Sequence, residues 1–348
     1  MNSISNRKKI SIFLLLLTAL FLAGYFFLQY FLNSPILKSS SQSTEYLFIY
    51  EEDNIDSVYN KIEKITKKPI SNAIKVMAKK NNYAQHIQTG KYSITPKDTP
   101  YTLINKLTRG HQTPSKLVFN NIRTKETLAG RLANQLMIDS ISVINLFNNE
   151  LFLDSIGYTP QTIVEIFIPN TYEVYWNISA KDLISRFQKE HKRFWNQERL
   201  NKASEAGLST LEVSILASIV EEETNVPDEK PIVAGLYINR LRRNIPLQAD
   251  PTVKFALQDF AIKRVLEKDT QIDSPYNTYK NTGLPPGPIR LASQQGLESV
   301  LNFASHNYLY MCAKEDFSGR HNFATNLKDH LANSRKYWRE LNRRKIYR

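Results

Sequence analysis

Cysteine is almost absent from this sequence: Cys312 is the single one in 348 residues. One thiol excludes an internal disulfide framework, and no Cys/His cluster has the spacing of zinc ligands. Glycine is sparse, 11 residues beside 15 prolines, which excludes collagen-like and Gly-rich low-complexity chains. Acidic residues are in deficit: 33 Asp and Glu stand against 46 Lys and Arg, a net charge of +13. So basic a chain suggests an anionic partner: nucleic acid, an anionic lipid surface or an acidic polymer. Apolar content is ordinary at 42%, with 23% charged, so wholesale disorder is excluded. The length allows two or three domains with an ample core.

Much of the charge sits at the two ends. Arg7, Lys8 and Lys9 precede an apolar run, and beyond residue 334 seven Lys/Arg face Glu340 alone. That basic tail, 336–348, reads as a solvated helix end or as a segment facing lipid or nucleic acid. Residues 10–32 carry no charge. As a helix they reach ~34 Å, enough for a hydrocarbon core of ~30 Å. The run exceeds a secretory signal core, and no small-x-small cleavage site follows it. It is expected to be an uncleaved single-pass anchor, with a cleaved signal peptide as the alternative. The positive-inside rule puts residues 1–9 in the cytoplasm and everything beyond the span outside. An outer body argues against nucleic acid as the partner, and the near-absence of cysteine means no reliance on disulfides there.

After a linker, 33–44, residues 46–50 read as a strand, 55–65 and 71–80 as helices, 90–94 as a strand and 102–107 as a helix ended by Gly110. This β-α-α-β-α module, 45–113, is either a packing domain or a glycan-binding module of LysM type. A connecting part, 114–205, holds a strand at 116–119, helices at 125–137 and 140–148, and an aromatic extended stretch at 167–175. Its amphipathic helix, 180–195, carries His191 on the apolar face as a packed core residue. The fold class expected is α+β: a transmembrane helix, a small LysM-like module and a larger mixed α/β catalytic domain centred on 206–335.

Chemistry concentrates after residue 208. Ser209 and Glu212 form a capping box, so a helix starts at Thr210 and runs to 225, closed by Pro227. One face carries Ser214, Ala217, Ser218 and Glu221. Small residues either receive another helix in close packing or leave a substrate cleft with Glu221 at its end. The helix dipole, the neighbours Glu222 and Glu223 and burial would all hold a proton on Glu221, as a general acid requires. Three adjacent glutamates are otherwise a solvated surface. The segments 247–253, 274–279, 283–289 and 321–326 read as polar or Pro/Gly-ruled loops rather than buried elements. Their Tyr, Asn, Gln, Asp and Thr suit carbohydrate.

At these residues the chain resembles the endolytic murein transglycosylases of the YceG/MltG type. The matching pieces are ASIVEEET (217–224), INRL (238–241), LQADPTV (247–253), YNTY (276–279), GLPPG (283–287) and HNFATN (321–326) with His330. They stand in the family's order and spacing. The resemblance implies internal cleavage of nascent peptidoglycan strands at the inner membrane, ending glycan elongation. The muramic C6 hydroxyl attacks C1 and leaves a 1,6-anhydro end, without water. It implies Glu221 as the catalytic residue, with Glu223 and Thr224 in support. Glu222 stands where the family usually has a basic residue, and adds negative charge near the site. Gln248, Asp250, Tyr276 and Asn277 would position sugar and acetamido groups. Asn239 and Arg240 bind substrate or support the fold, and Thr252, Tyr279, Phe323 and Asn326 belong to the same motifs. No metal or cofactor is implied, and no nucleic acid. Peptidoglycan synthases or division proteins are the partners expected. A glycan-binding or division scaffold without catalysis, and a muramidase that uses water, are the competing readings.

Overall fold

In the computed structural model, which describes residues 6–37, 43–262 and 264–344, the apolar run is one helix, α1 (Asn6–Asn33). Part of the expected linker, residues 38–42, and the end of the basic tail, 345–348, lie outside the described residues, as do residues 1–5 of the expected cytoplasmic segment. Among the described residues, Lys8–Asn33 is long and apolar enough to cross a membrane, and most of its large apolar side chains are exposed.

The chain folds as two units. One comprises residues 1–116 with 173–178, the other 117–172 with 179–348. In the first, β1 (Glu45–Ile49) pairs antiparallel with β2 (Gly90–Ile94), Leu47 opposite Tyr92. Alternate residues Leu47, Ile49, Tyr92 and Ile94 are buried, as a half-buried ladder requires. Helices α2 (Ile55–Ile65), α3 (Lys68–Lys80) and α4 (Pro100–Thr108) complete this core through Val58, Ile62, Ile74, Leu103 and Leu107. Caps fix their starts: the Asn54 side chain accepts from Ser57 N, and Thr99 forms a reciprocal box with Thr102. Trp176, from the second stretch of this unit, packs on Phe48 and Tyr50 with ring centroids 5.0 and 4.8 Å apart.

β3 (Ser115–Val118) pairs with β4 (Thr171–Val174), and the chain passes between the units within these strands. The second unit then places α5 (Lys125–Ala133), α6 (Ser140–Phe147), α7 (Glu150–Ser155) and α8 (Ala180–Phe194) around an aromatic cluster. Phe187 lies 4.6 Å from Phe167 and 5.5 Å from Phe119. His191 is buried in α8, accepts from Trp195 Nε1 at 3.0 Å, and burial pushes its pKa down to about 4. α9 (Gln197–Ala206) ends in a left-handed Gly207, and α10 (Thr210–Glu223) starts on the expected capping box.

α10 is the centre of this unit: every residue from Val213 to Glu221 is buried. α11 (Lys230–Arg242), α12 (Asp250–Leu257) and α13 (Gln294–Leu301) pack on it. Gly235 of α11 is required by contact, since a Cβ there would lie 2.3 Å from the Ala304 carbonyl oxygen. β5 (Tyr310–Ala313) and β6 (His321–Ala324) form an antiparallel ladder with α14 (Leu327–Arg343) against it.

Two expectations need correction. Residues 247–253 and 321–326 are not free loops: the first runs into α12 with Pro251, Thr252 and Val253 buried, and the second holds β6. Proline at the first turn is compatible with a helix start, so it does not rule the segment a loop. Asn277 and Thr278 are likewise buried, not displayed. The small-residue face of α10 is no cleft. The Ile289 N–H donates to Ser218 Oγ at 3.0 Å, and α13 closes on Glu221 at Gly296.

Candidate active site

The three glutamates at the end of α10 go to three different places, as a turn of about 100° per residue demands. Glu221 is buried in a nest of donors. The Ser293 N–H donates to its Oε2 at 2.9 Å, the Ser293 hydroxyl to Oε1, and Lys230 Nζ lies 3.4 Å from Oε1. Arg290 Nε is 3.8 Å from Oε2. A Cβ on Gly296 would lie 2.8 Å from the Glu221 carboxyl carbon, so no space for a sugar remains on that side.

Glu222 turns to two arginines. Arg123 grips it with Nε at 2.8 Å and Nη2 at 3.0 Å, and Arg290 Nη1 adds a third bond at 3.0 Å. The charge that Glu222 was expected to add near the site is therefore matched locally, and Arg123 is held well into its charged form by the carboxylate.

Glu223 lines a cavity of about 390 Å³, with Tyr237, Arg240, Gln248, Asp250, Tyr279, Tyr310, His321 and His330 in the same wall. The Tyr237 hydroxyl donates to Glu223 Oε1 at 2.6 Å. Burial pushes the Glu223 pKa up to about 7, against the pull of that hydrogen bond and with help from Asp250. Burial and the neighbouring Glu223 in turn hold Tyr237 well above the ordinary phenol value.

The other expected residues divide between cavity wall and scaffold. Arg240 fixes the wall: Nε donates to the Pro246 carbonyl at 2.9 Å, Nη1 to Leu309 O at 2.9 Å, and Nη2 to Gln248 Oε1. Gln248 sits at φ 52°, a left-handed turn that brings its amide beside Arg240. Asp250 accepts from the Tyr279 hydroxyl at 2.5 Å. Asn239 braces the chain before β5 through the His306 and Tyr308 carbonyls, at 2.7 and 3.2 Å. Thr252 bonds Thr278 Oγ1 at 2.9 Å. Asn277 donates to Thr270 O and Ile272 O at 2.9 and 2.8 Å. Thr224 caps α10 and reaches Glu229, Asn326 caps α14 through Asp329 N, and Phe323 stacks on Tyr308 at 5.5 Å.

Tyr276 belongs elsewhere. It lines a second cavity of about 400 Å³ with Ile122, Arg123, Lys125, Phe255 and Arg290, and packs 4.7 Å from Phe255. Sequence reasoning passed over Tyr237, although it lies three residues before Arg240 on one helical face. It named His321 and His330 only as parts of a motif, without a role in the site, and passed over Tyr310. Among the described residues no group of three or more His, Cys, Asp or Glu could hold a metal ion.

Comparison with known proteins gives one consistent answer. The family model described as YceG-like family matches residues 47–336. A Bacillus subtilis protein named endolytic murein transglycosylase is 39% identical over 163 residues, 46% of this chain and 43% of that protein. A Streptococcus pneumoniae protein of the same name is 26% identical over 355 residues, 92% of this chain and 63% of that protein. The chain thus spans less than two thirds of the length of either relative. The crystal structure of a YceG-like protein from Listeria monocytogenes superposes with a TM-score of 0.54 at 26% identity, covering 84% of this chain and 99% of that one. With sequence and fold agreeing over most of its length, the chain belongs to the YceG-like family.

Proposed function

We propose that this protein is a membrane-anchored endolytic transglycosylase of peptidoglycan, a lyase that cuts between N-acetylmuramic acid and N-acetylglucosamine and leaves 1,6-anhydro ends. The observation that carries the reading is Glu223: a carboxyl whose pKa is pushed up to about 7, set in a cavity walled by tyrosines, amides and an arginine. A carboxyl that keeps its proton near neutrality is what protonation of a glycosidic oxygen needs. Tyr279, Tyr310, Gln248 and Arg240 supply faces and hydrogen bonds for sugar rings and acetamido groups. Relatives named for the activity favour the same substrate.

In this reading Glu223, rather than Glu221, is the general acid. It gives its proton to the leaving oxygen as the bond to C1 breaks, and the C6 hydroxyl closes on C1. Glu221 anchors the start of α13 instead. Residues 206–335 form the catalytic region and 45–113 a LysM-like module that holds the glycan strand. Residues 10–32 anchor the chain with its N-terminus in the cytoplasm, where Arg7, Lys8 and Lys9 favour retention. Synthases or division proteins are its protein partners.

Asp250 favours a second reading. Two carboxylates in one cavity are the pair that hydrolytic glycosidases use. Digestion of uncrosslinked glycan strands by the full-length protein in detergent separates the two. Products lighter by one water than muramidase products support the lyase. Reducing ends alone support hydrolysis, and no product supports a glycan-binding scaffold.

A further inference from the structure

His321 opens β6 and lines the same cavity as Glu223. One carboxylate holds it twice. The His321 backbone N–H donates to Glu229 Oε1 at 2.9 Å, and its Nδ1 lies 3.0 Å from Glu229 Oε2. Glu229 is only 3% exposed and also accepts from the Thr224 hydroxyl at 3.4 Å. A buried carboxylate ringed by donors is an acceptor, so the ring proton of His321 sits on Nδ1. Nε2 then carries the lone pair, and no hydrogen bond from a described residue occupies it. The ring is fixed by the cap of α10, the start of α11 and the first residue of β6 together. An imidazole held at Nδ1 by a buried carboxylate, in the wall of the cavity that holds Glu223, has the second nitrogen a base needs.

We propose that His321 is a second catalytic residue of this site and takes the proton of the attacking C6 hydroxyl. The inference rests on the transglycosylase reading given above. As the C1 bond to the leaving oxygen breaks, the Glu223 carboxyl proton passes to that oxygen. As O6 bonds to C1, the hydroxyl proton passes to His321 Nε2. The imidazolium so formed is paired with Glu229, and it returns its proton to the Glu223 carboxylate directly or through solvent. One bond breaks, one forms, and no water is consumed. The other charged or titratable side chains of the same cavity wall are Tyr237, Arg240, Asp250, Tyr279, Tyr310, Cys312 and His330, and the Asp228–Arg320 pair adjoins Glu229 and His321 in sequence.

The test uses the full-length protein in detergent and uncrosslinked glycan strands, with anhydro ends counted against time. For His321→Ala, kcat is expected to fall by about 10²–10⁴-fold with KM little changed. Added imidazole should restore part of the rate, because the truncated side chain leaves room for it. His321→Gln keeps most of the side-chain volume and should show the same fall without rescue. A wild-type rate in His321→Ala overturns the proposal. So does a loss that imidazole does not restore, since a structural role predicts that result. A fully active Glu223→Gln variant would instead count against the underlying reading of the acid.

Discussion

Glu223 differs from its two neighbours by where one turn of helix leaves each carboxylate. Glu221 meets Lys230, Arg290 and Ser293, Glu222 meets Arg123 and Arg290, and Glu223 meets a tyrosine and a cavity. A carboxyl raised to about 7 must keep its proton to act as an acid, so cleavage should decline as pH rises through that value. A rate–pH profile checks this. The same shift has a sign for stability. The folded state binds a proton that the unfolded chain releases above ~4.3, so stability falls between that pH and about 7 and the full penalty stays above it. Glu223→Gln removes the penalty, and thermal unfolding about one unit above pH 7 should show the variant melting higher than the parent. Glu221→Gln should act in the opposite sense, since it weakens charge-assisted bonds to Lys230 and Ser293. A loss of roughly 1.5–3 kcal/mol is expected in denaturant unfolding, with cleavage retained.

At the scale of elements, packing decides what α10 does. Its small-residue face accommodates α13, and α11 closes on the 304–306 segment because residue 235 has no side chain. Gly235→Ala would set a Cβ 2.3 Å from a backbone oxygen, so a destabilisation of about 1–3 kcal/mol is expected on unfolding. Much of this level was legible in the sequence. Ile55–Ile65 and Gly90–Ile94 fall where apolar spacing and β-branched residues put them, and Ser209 with Glu212 marks the start of α10. What periodicity could not reveal was α12 and β6, because both are short: α12 buries Pro251, Thr252 and Val253, with Thr252 bonded to Thr278, and β6 is mostly half-buried. The six motifs pointed to the C-terminal end of α10. What each of the three adjacent glutamates touches was not legible there, because Tyr237, Ser293 and Arg123 come from other elements.

For the whole molecule, the proposed function rests on a charge-free helix behind Arg7, Lys8 and Lys9 that is long and apolar enough to hold the chain at a membrane. External protease on spheroplasts should degrade everything beyond the span, and the intact protein should sediment with membranes. A soluble mature form that starts after residue 32 would contradict the anchor. The central claim is that one carboxyl in one cavity drives cleavage without water. Its most direct test compares Glu221→Gln, Glu222→Gln and Glu223→Gln on uncrosslinked glycan strands, with product masses recorded and circular dichroism as the folding control. The account predicts anhydro-ended products from the first two variants and none from the third. An inactive Glu221→Gln beside an active Glu223→Gln would contradict it.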